Sequence, residues 1–184
     1  MRVFAIGDLH LSFSCDKPMD VFGGAWDDHV ARLERAWWET VSPDDLVLVP
    51  GDVSWGMHLP EAAADLAFLG GLPGKKVLLR GNHDYWWSSL TQVRAALPEN
   101  VFAVQNDVLA FDGFFVGGTR LWTLPGAQTG ASDEKIYQRE LGRLELSLSR
   151  MPETAGVRVA MLHFPPFDEA HGDTAVTALL ERFH

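Results

Sequence analysis

Four short β-rich runs punctuate the chain: RVFAI (2–6), LVLV (46–49), KVLL (76–79) and VRVAML (157–162). Each is bounded by Gly, Pro or Asp, which is how buried strands rather than helices begin and end. Residues 27–40, 60–69 and 88–97 instead carry apolar side chains at helical spacing, for example Val30, Leu33, Trp37 and Trp38. Strands alternating with helices imply a parallel sheet covered by helices, hence an α/β chain. On this pattern Trp37 and Trp38 form a packing stripe.

The middle of the sequence follows another rule. VFAVQ, VLAF and FFVGG are separated by Asn106-Asp107 and by Asp112-Gly113, the second a strong hairpin signal. Antiparallel strands are expected across 101–118, in a second sheet or as an extension of the first. Residues 132–150 return to a charged helical pattern with Ile136, Leu141, Leu144 and Leu148. No repeat or linker divides the 184 residues, so a single domain over 1–184 is expected. A helix over 174–184 closes the chain without a returning strand, and the fold is expected to be incomplete at that end.

Polar residues follow each buried run. Gly7-Asp8-Leu9-His10 follows the first, Pro50-Gly51-Asp52 the second, Arg80-Gly81-Asn82-His83-Asp84 the third, and His163-Phe164-Pro165-Pro166 the fourth. Ligands bind beyond the carboxyl ends of parallel strands, so these residues are expected along one edge. Singly, Asp8 and Asp52 read as helix caps or turn formers, Asn82 as a turn residue, and His10 or His163 as ordinary hydrogen-bonded histidines. Jointly they offer carboxylate, imidazole and amide donors, which suit divalent ions such as Mn, Fe, Zn or Ni. A histidine beside such a site, if not itself a ligand, can move a proton near neutral pH.

The blocks GDLH (7–10), GDVSW (51–55), GNHD (81–84) and LHFPP (162–166) together resemble the calcineurin-like metallophosphoesterases, in that family's order. The resemblance implies two facing mixed β-sheets flanked by helices, a four-layer sandwich. It implies two divalent metal ions, Mn favoured. Asp8 and His10 would bind the first, Asp52 would bridge both, and Asn82 and His163 would bind the second. His83 would be the catalytic residue that is not a ligand, with Asp84 orienting it. The implied reaction is hydrolysis of phosphate mono- or diesters by a metal-bridging hydroxide. The family's final G-H-x-H block is absent, and His184, terminal on the expected last helix, fits it poorly. The chain is therefore expected to stop before the last strand and motif. The alternative is a binding or scaffold protein that keeps the fold without turnover.

Around the motifs, Trp55, His58, Tyr85, Trp86 and Trp122 are candidates to line a substrate pocket, and Arg80 and Arg120 to hold phosphate or pair with surface carboxylates. His29, His171 and His184 are expected at the surface. Composition narrows the partners. With 25 Asp and Glu against 15 Lys and Arg, the net charge of −10 repels polyanions, so nucleic acid is not an expected partner. A small phosphorylated substrate remains open, because bound cations would dominate the local field. The one cysteine, Cys15, excludes an internal disulfide and fits a reducing compartment, so the cytoplasm is expected. No run of eighteen apolar residues predicts a membrane span.

Overall fold

The structure is a computed structural model that describes residues 1–126, 129–153 and 156–183. His184, expected at the surface, lies outside the described residues. The fold is α/β, with two sheets flanked by helices. Residues 1–103 and 104–184 form two compact units. No helix among the described residues is long and apolar enough to cross a membrane.

The first unit is built on a four-stranded sheet. Its strands are β1 (Val3–Ala5), β2 (Leu46–Val49), β3 (Lys75–Leu79) and β4 (Val101–Val104), in the order β1-β2-β3-β4. β1 runs parallel to β2 with Val3 opposite Leu46, and β2 parallel to β3 with Val47 opposite Lys76. Helices α1 (His29–Thr40), α2 (Leu59–Gly71) and α3 (Leu90–Ala96) connect successive strands. All four residues of β2 are buried, as a central strand covered on both faces requires. The core joins Val47, Val49 and Leu78 to Leu66 and Leu69 of α2 and to Trp37 of α1.

One expectation is divided here and another changes. VFAVQ parts from the other two middle runs: β4 extends the first sheet at the edge of β3, one of the two expected placements, while VLAF and FFVGG lie in the second. Trp38 is 58% exposed, and only Trp37 packs, its indole nitrogen donating to the Pro73 carbonyl at 3.0 Å. Adjacent helical positions point about 100° apart, so one face does not hold both.

In the second unit, β5 (Val108–Phe111) and β6 (Phe114–Thr119) form the expected hairpin. Asp112 and Gly113 both have positive φ (36° and 85°), as a two-residue turn matched to strand twist demands. β7 (Val157–Leu162) pairs in parallel with β6, in the order β5-β6-β7. The 157–162 run thus belongs to the second sheet, not to the edge shared by the first three runs. Helix α4 (Ala131–Leu148) returns the chain between them, and α5 (Ala175–Arg182) follows. Ser147 of α4 donates to the Asp107 carbonyl and accepts from the Gly118 amide, both at 2.8 Å. A Cβ on Gly117 would stand 2.6 Å from that hydroxyl, so glycine is what admits the helix.

Candidate metal centre

The loops after β1, β2 and β3 are fastened to one another by main-chain bonds. The amides of Asp8, His10 and Leu11 donate to the carbonyls of Gly51, Asp52 and Val53 at 3.0–3.1 Å, and the Trp55 amide returns to Leu11 at 2.9 Å. The first two loops therefore continue the parallel pairing of β1 and β2 beyond the sheet. Asp8, His10 and Asp52 all lie in the left-handed region, with φ of 56°, 46° and 53°. Such backbone persists where the surroundings over-determine it, and it clusters at functional sites.

The third loop enters through Gly81. A Cβ there would stand 2.0 Å from a carboxylate oxygen of Asp52 and 2.3 Å from its amide nitrogen. Only glycine allows the 80–84 backbone to approach Asp52 so closely. The His83 amide then donates to Asp52 Oδ1 at 2.9 Å, and His83 Nδ1 sits 2.7 Å from Oδ2. The Asn82 amide nitrogen lies 3.2 Å from His83 Nδ1.

Asp84 anchors these loops from beneath. Its buried carboxylate accepts from the amides of Asp52 (2.9 Å), Val53 (2.8 Å), Ser54 (3.2 Å) and Gly81 (2.7 Å), and from the Trp86 indole (2.9 Å). Burial pushes the carboxyl upward, opposed by these donors, while the neighbouring Asp52 carboxylate pushes the same way as burial. The sequence reading assigned Asp84 to orient His83. Its hydrogen bonds serve another purpose, clamping the backbone that carries Asp52 to the backbone that carries Asn82. Trp86, a pocket candidate, is buried in the core beside it.

The donor set fits a divalent ion. Ligand atoms of His10, Asp52 and His83 all lie within 4.8 Å of one another. His10 Nε2 is 3.8 Å from Asp8 Oδ1 and 3.8 Å from Asp52 Oδ2. Atoms bound to one ion at about 2.0–2.2 Å stand roughly 3–3.5 Å apart, so small side-chain movements close the site. Imidazole and carboxylate together match Mn, Fe, Zn or Ni. The His83 side chain is 39% exposed, so solvent reaches it while Asp52 stays buried.

Trp55 forms one wall. Its ring stacks on His10 (centroids 4.7 Å apart, 19° between planes) and tilts against His83 at 5.0 Å. Its indole nitrogen donates to the Met19 sulfur at 3.3 Å, and the Lys17 ammonium lies 4.9 Å over its ring. Trp26 meets the edge of His10 at 6.1 Å and of His29 at 5.4 Å. His29 is half-buried, with Nε2 3.2 Å from the Leu9 carbonyl, rather than at the surface as expected. Tyr85 is half-exposed and meets the His83 edge at 6.3 Å. His58 is exposed ahead of α2 and does not cap it.

The sequence reading missed Asp65. It sits on the buried face of α2, accepting from the Phe13 amide at 2.9 Å and from the Ser54 hydroxyl. Burial raises its pKa, against those two bonds. The available signal was spacing: Asp65 shares a helical stripe with Ala62, Leu66 and Leu69, where a carboxylate needs a partner.

In the second unit, His163 is the first residue after β7, half-buried with its ring 5.3 Å from Phe164. The Phe164 amide donates to the Arg120 carbonyl at 2.9 Å. The Arg120 guanidinium lies 4.6 Å over the Trp122 ring, its Nε 4.0 Å from the buried Glu140. His171 is exposed, as expected.

Known proteins resemble this chain in sequence and in fold. Over 77 residues the chain is 40% identical to the Gene 66 protein of Mycobacterium phage L5, a match covering 42% of this chain and 37% of that protein. Over 83 residues it is 35% identical to the Gene 66 protein of Mycobacterium phage D29, covering 45% and 40% respectively. The chain thus spans about two fifths of the length of these curated relatives. The crystal structure of phosphopantetheinyl hydrolase (PptH) from Mycobacterium tuberculosis aligns at a TM-score of 0.54 and 17% identity, over 97% of this chain and 74% of that one, a likeness of fold alone. The family model for calcineurin-like phosphoesterases matches residues 1–184. Its span takes in the loops that carry Asp8, His10, Asp52, Asn82, His83 and His163, and the chain belongs to the calcineurin-like phosphoesterase family.

Proposed function

We propose that the chain is a metal-dependent phosphoesterase acting on small phosphate mono- or diesters. The observation that carries this reading is the convergence of His10, Asp52 and His83, from three loops, to within 4.8 Å. Asp8, His10, Asp52, Asn82 and His163 would hold two divalent ions, with manganese favoured. When bound, the ions would supply Lewis-acid activation of water and neutralise charge on the phosphoryl oxygens.

The chain's own residues do the rest. Asp52 orients the His83 ring through Nδ1, leaving Nε2 to deliver a proton to the departing oxygen. Trp55 keeps bulk water from one side of the His10 and His83 rings. Asp84 and Gly81 fix the ligand-bearing backbone before any substrate arrives.

The test is Mn²⁺-dependent hydrolysis of bis-p-nitrophenyl phosphate, with bound metal measured by mass spectrometry. His83→Ala is expected to lower turnover at least about a hundredfold with metal content nearly unchanged. One observation favours a second reading: His83 offers a ligand atom to the same 4.8 Å cluster as His10 and Asp52, as a residue holding the ion would. Loss of metal together with turnover in His83→Ala would make it a ligand and refute its role as proton donor. A metal-loaded chain that hydrolyses nothing would favour the scaffold alternative.

A further inference from the structure

Asp8 and His10, the ligands offered by the first loop, are separated by Leu9 alone. Both lie in the left-handed region, so the chain reverses its twist on either side of Leu9. β1 is an edge strand of its sheet, so the loop after it has a paired main-chain neighbour on one side only. The amides of Asp8 and His10 use that neighbour, donating to the Gly51 and Asp52 carbonyls. The Leu9 carbonyl has no main-chain donor among the described residues, and Leu9 is only 3% exposed. A carbonyl so far from water costs free energy unless some group donates to it.

The donor is the ring of His29, whose Nε2 lies 3.2 Å from the Leu9 oxygen. A carbonyl can only accept, so Nε2 carries the proton and Nδ1 is bare in the neutral ring. His29 is the first residue of α1. Asp28 before it is held at φ 50° and makes no side-chain cap, so the chain enters the helix through a strained residue. The Trp26 ring stands across His29 at 5.4 Å and across His10 at 6.1 Å, bracing both imidazoles. Farther along α1, Trp37 is fixed in the core, so the donor rides on an anchored element.

We propose that His29 is a positioning residue for the metal centre: its Nε2–H holds the peptide between Asp8 and His10 and so sets the separation of these two ligands. The inference rests on the reading of Asp8 and His10 as metal ligands, and not on turnover. His29 offers no ligand atom to the cluster of His10, Asp52 and His83. Without its bond the Leu9 carbonyl turns toward water, and the loop no longer presents both ligands in one fixed geometry.

The test pairs two variants. His29→Phe keeps a flat ring and removes the donor. His29→Gln carries an amide nitrogen as many bonds from the backbone as Nε2, and so restores the donor. A hollow of about 430 Å³ borders the ring, so neither side chain is crowded. In titration calorimetry with Mn²⁺ and no substrate, His29→Phe is expected to bind about tenfold more weakly, and His29→Gln to return within about threefold of the unaltered chain.

A second readout needs no folded Phe variant. Nitrogen-15 spectra of the metal-free, unaltered chain at alkaline pH are expected to show His29 with Nε2 protonated and Nδ1 bare, its signals identified by their loss in His29→Gln. Unchanged affinity in both variants, an equal loss in both, or the opposite tautomer would each overturn this proposal and leave the metal centre standing. An unaltered chain that binds no Mn²⁺ would overturn the metal reading, and this proposal with it.

Discussion

Asp84 and Asp52 are both buried carboxylates in the same loops, and their partners separate their roles. Asp84 accepts five N–H donors and presents nothing to solvent, whereas Asp52 faces two imidazoles. Asp84→Asn would aim an amide N–H at backbone donors and leave groups unsatisfied. It is expected to lower stability by about 3 kcal/mol in urea unfolding. Trp55→Ala leaves the ligands in place but removes the ring stacked on His10. Loss of such support weakens metal binding about tenfold or more, which titration calorimetry with Mn²⁺ would register. The identity of these residues was visible in the sequence, and so was the side of the fold they occupy. The partners of Asp84 were not, because four of its five donors belong to main-chain amides, which look alike in any sequence.

At the scale of elements, α2 does more than connect β2 to β3. Through Asp65 it holds the Phe13 amide and the Ser54 hydroxyl, one on each of the first two loops. Asp65→Ala strands both donors in the interior and is expected to cost about 2 kcal/mol, with a matching fall in metal affinity. The C-terminus of the same helix is closed by Lys76 of β3, whose buried ammonium donates to the carbonyls of Leu72 (2.6 Å) and Gly74 (2.8 Å). Burial lowers its pKa from 10.5 to about 8. Below pH 8 the lysine is charged in both states and the folded chain bears the full desolvation penalty. Between 8 and 10.5 the unfolded chain binds more protons, so stability rises with pH there. Lys76→Met is expected to abolish that rise in thermal melts across the window.

Strand existence was legible from apolar runs, and helix spans came within a few residues because amphipathic spacing is local. Sheet membership was not. VFAVQ, VLAF and FFVGG read as one antiparallel group, in a second sheet or extending the first, yet β4 pairs with β3 while β5 and β6 lie in the other sheet. The 157–162 run has the same signature as the first three, yet its partner is β6. Which edge a strand joins depends on surfaces made by distant segments, and that information is absent from any window of sequence.

For the molecule as a whole, bound ions should stabilise by mass action. Mn²⁺ at a hundred times its dissociation constant contributes about 2.7 kcal/mol per site. Chelation is expected to lower the melting temperature measurably while leaving far-ultraviolet circular dichroism unchanged, since the loops are fixed by bonds of the chain's own. The clamp beneath the metal centre has a further consequence. The amides of Asp52, Val53, Ser54 and Gly81 end on one carboxylate that solvent does not reach. None of the four can be released to deuterium without breaking the group to which the others are tied. Their exchange should therefore proceed at one common rate, set by a single opening event, with protection rivalling that of the central strand β2.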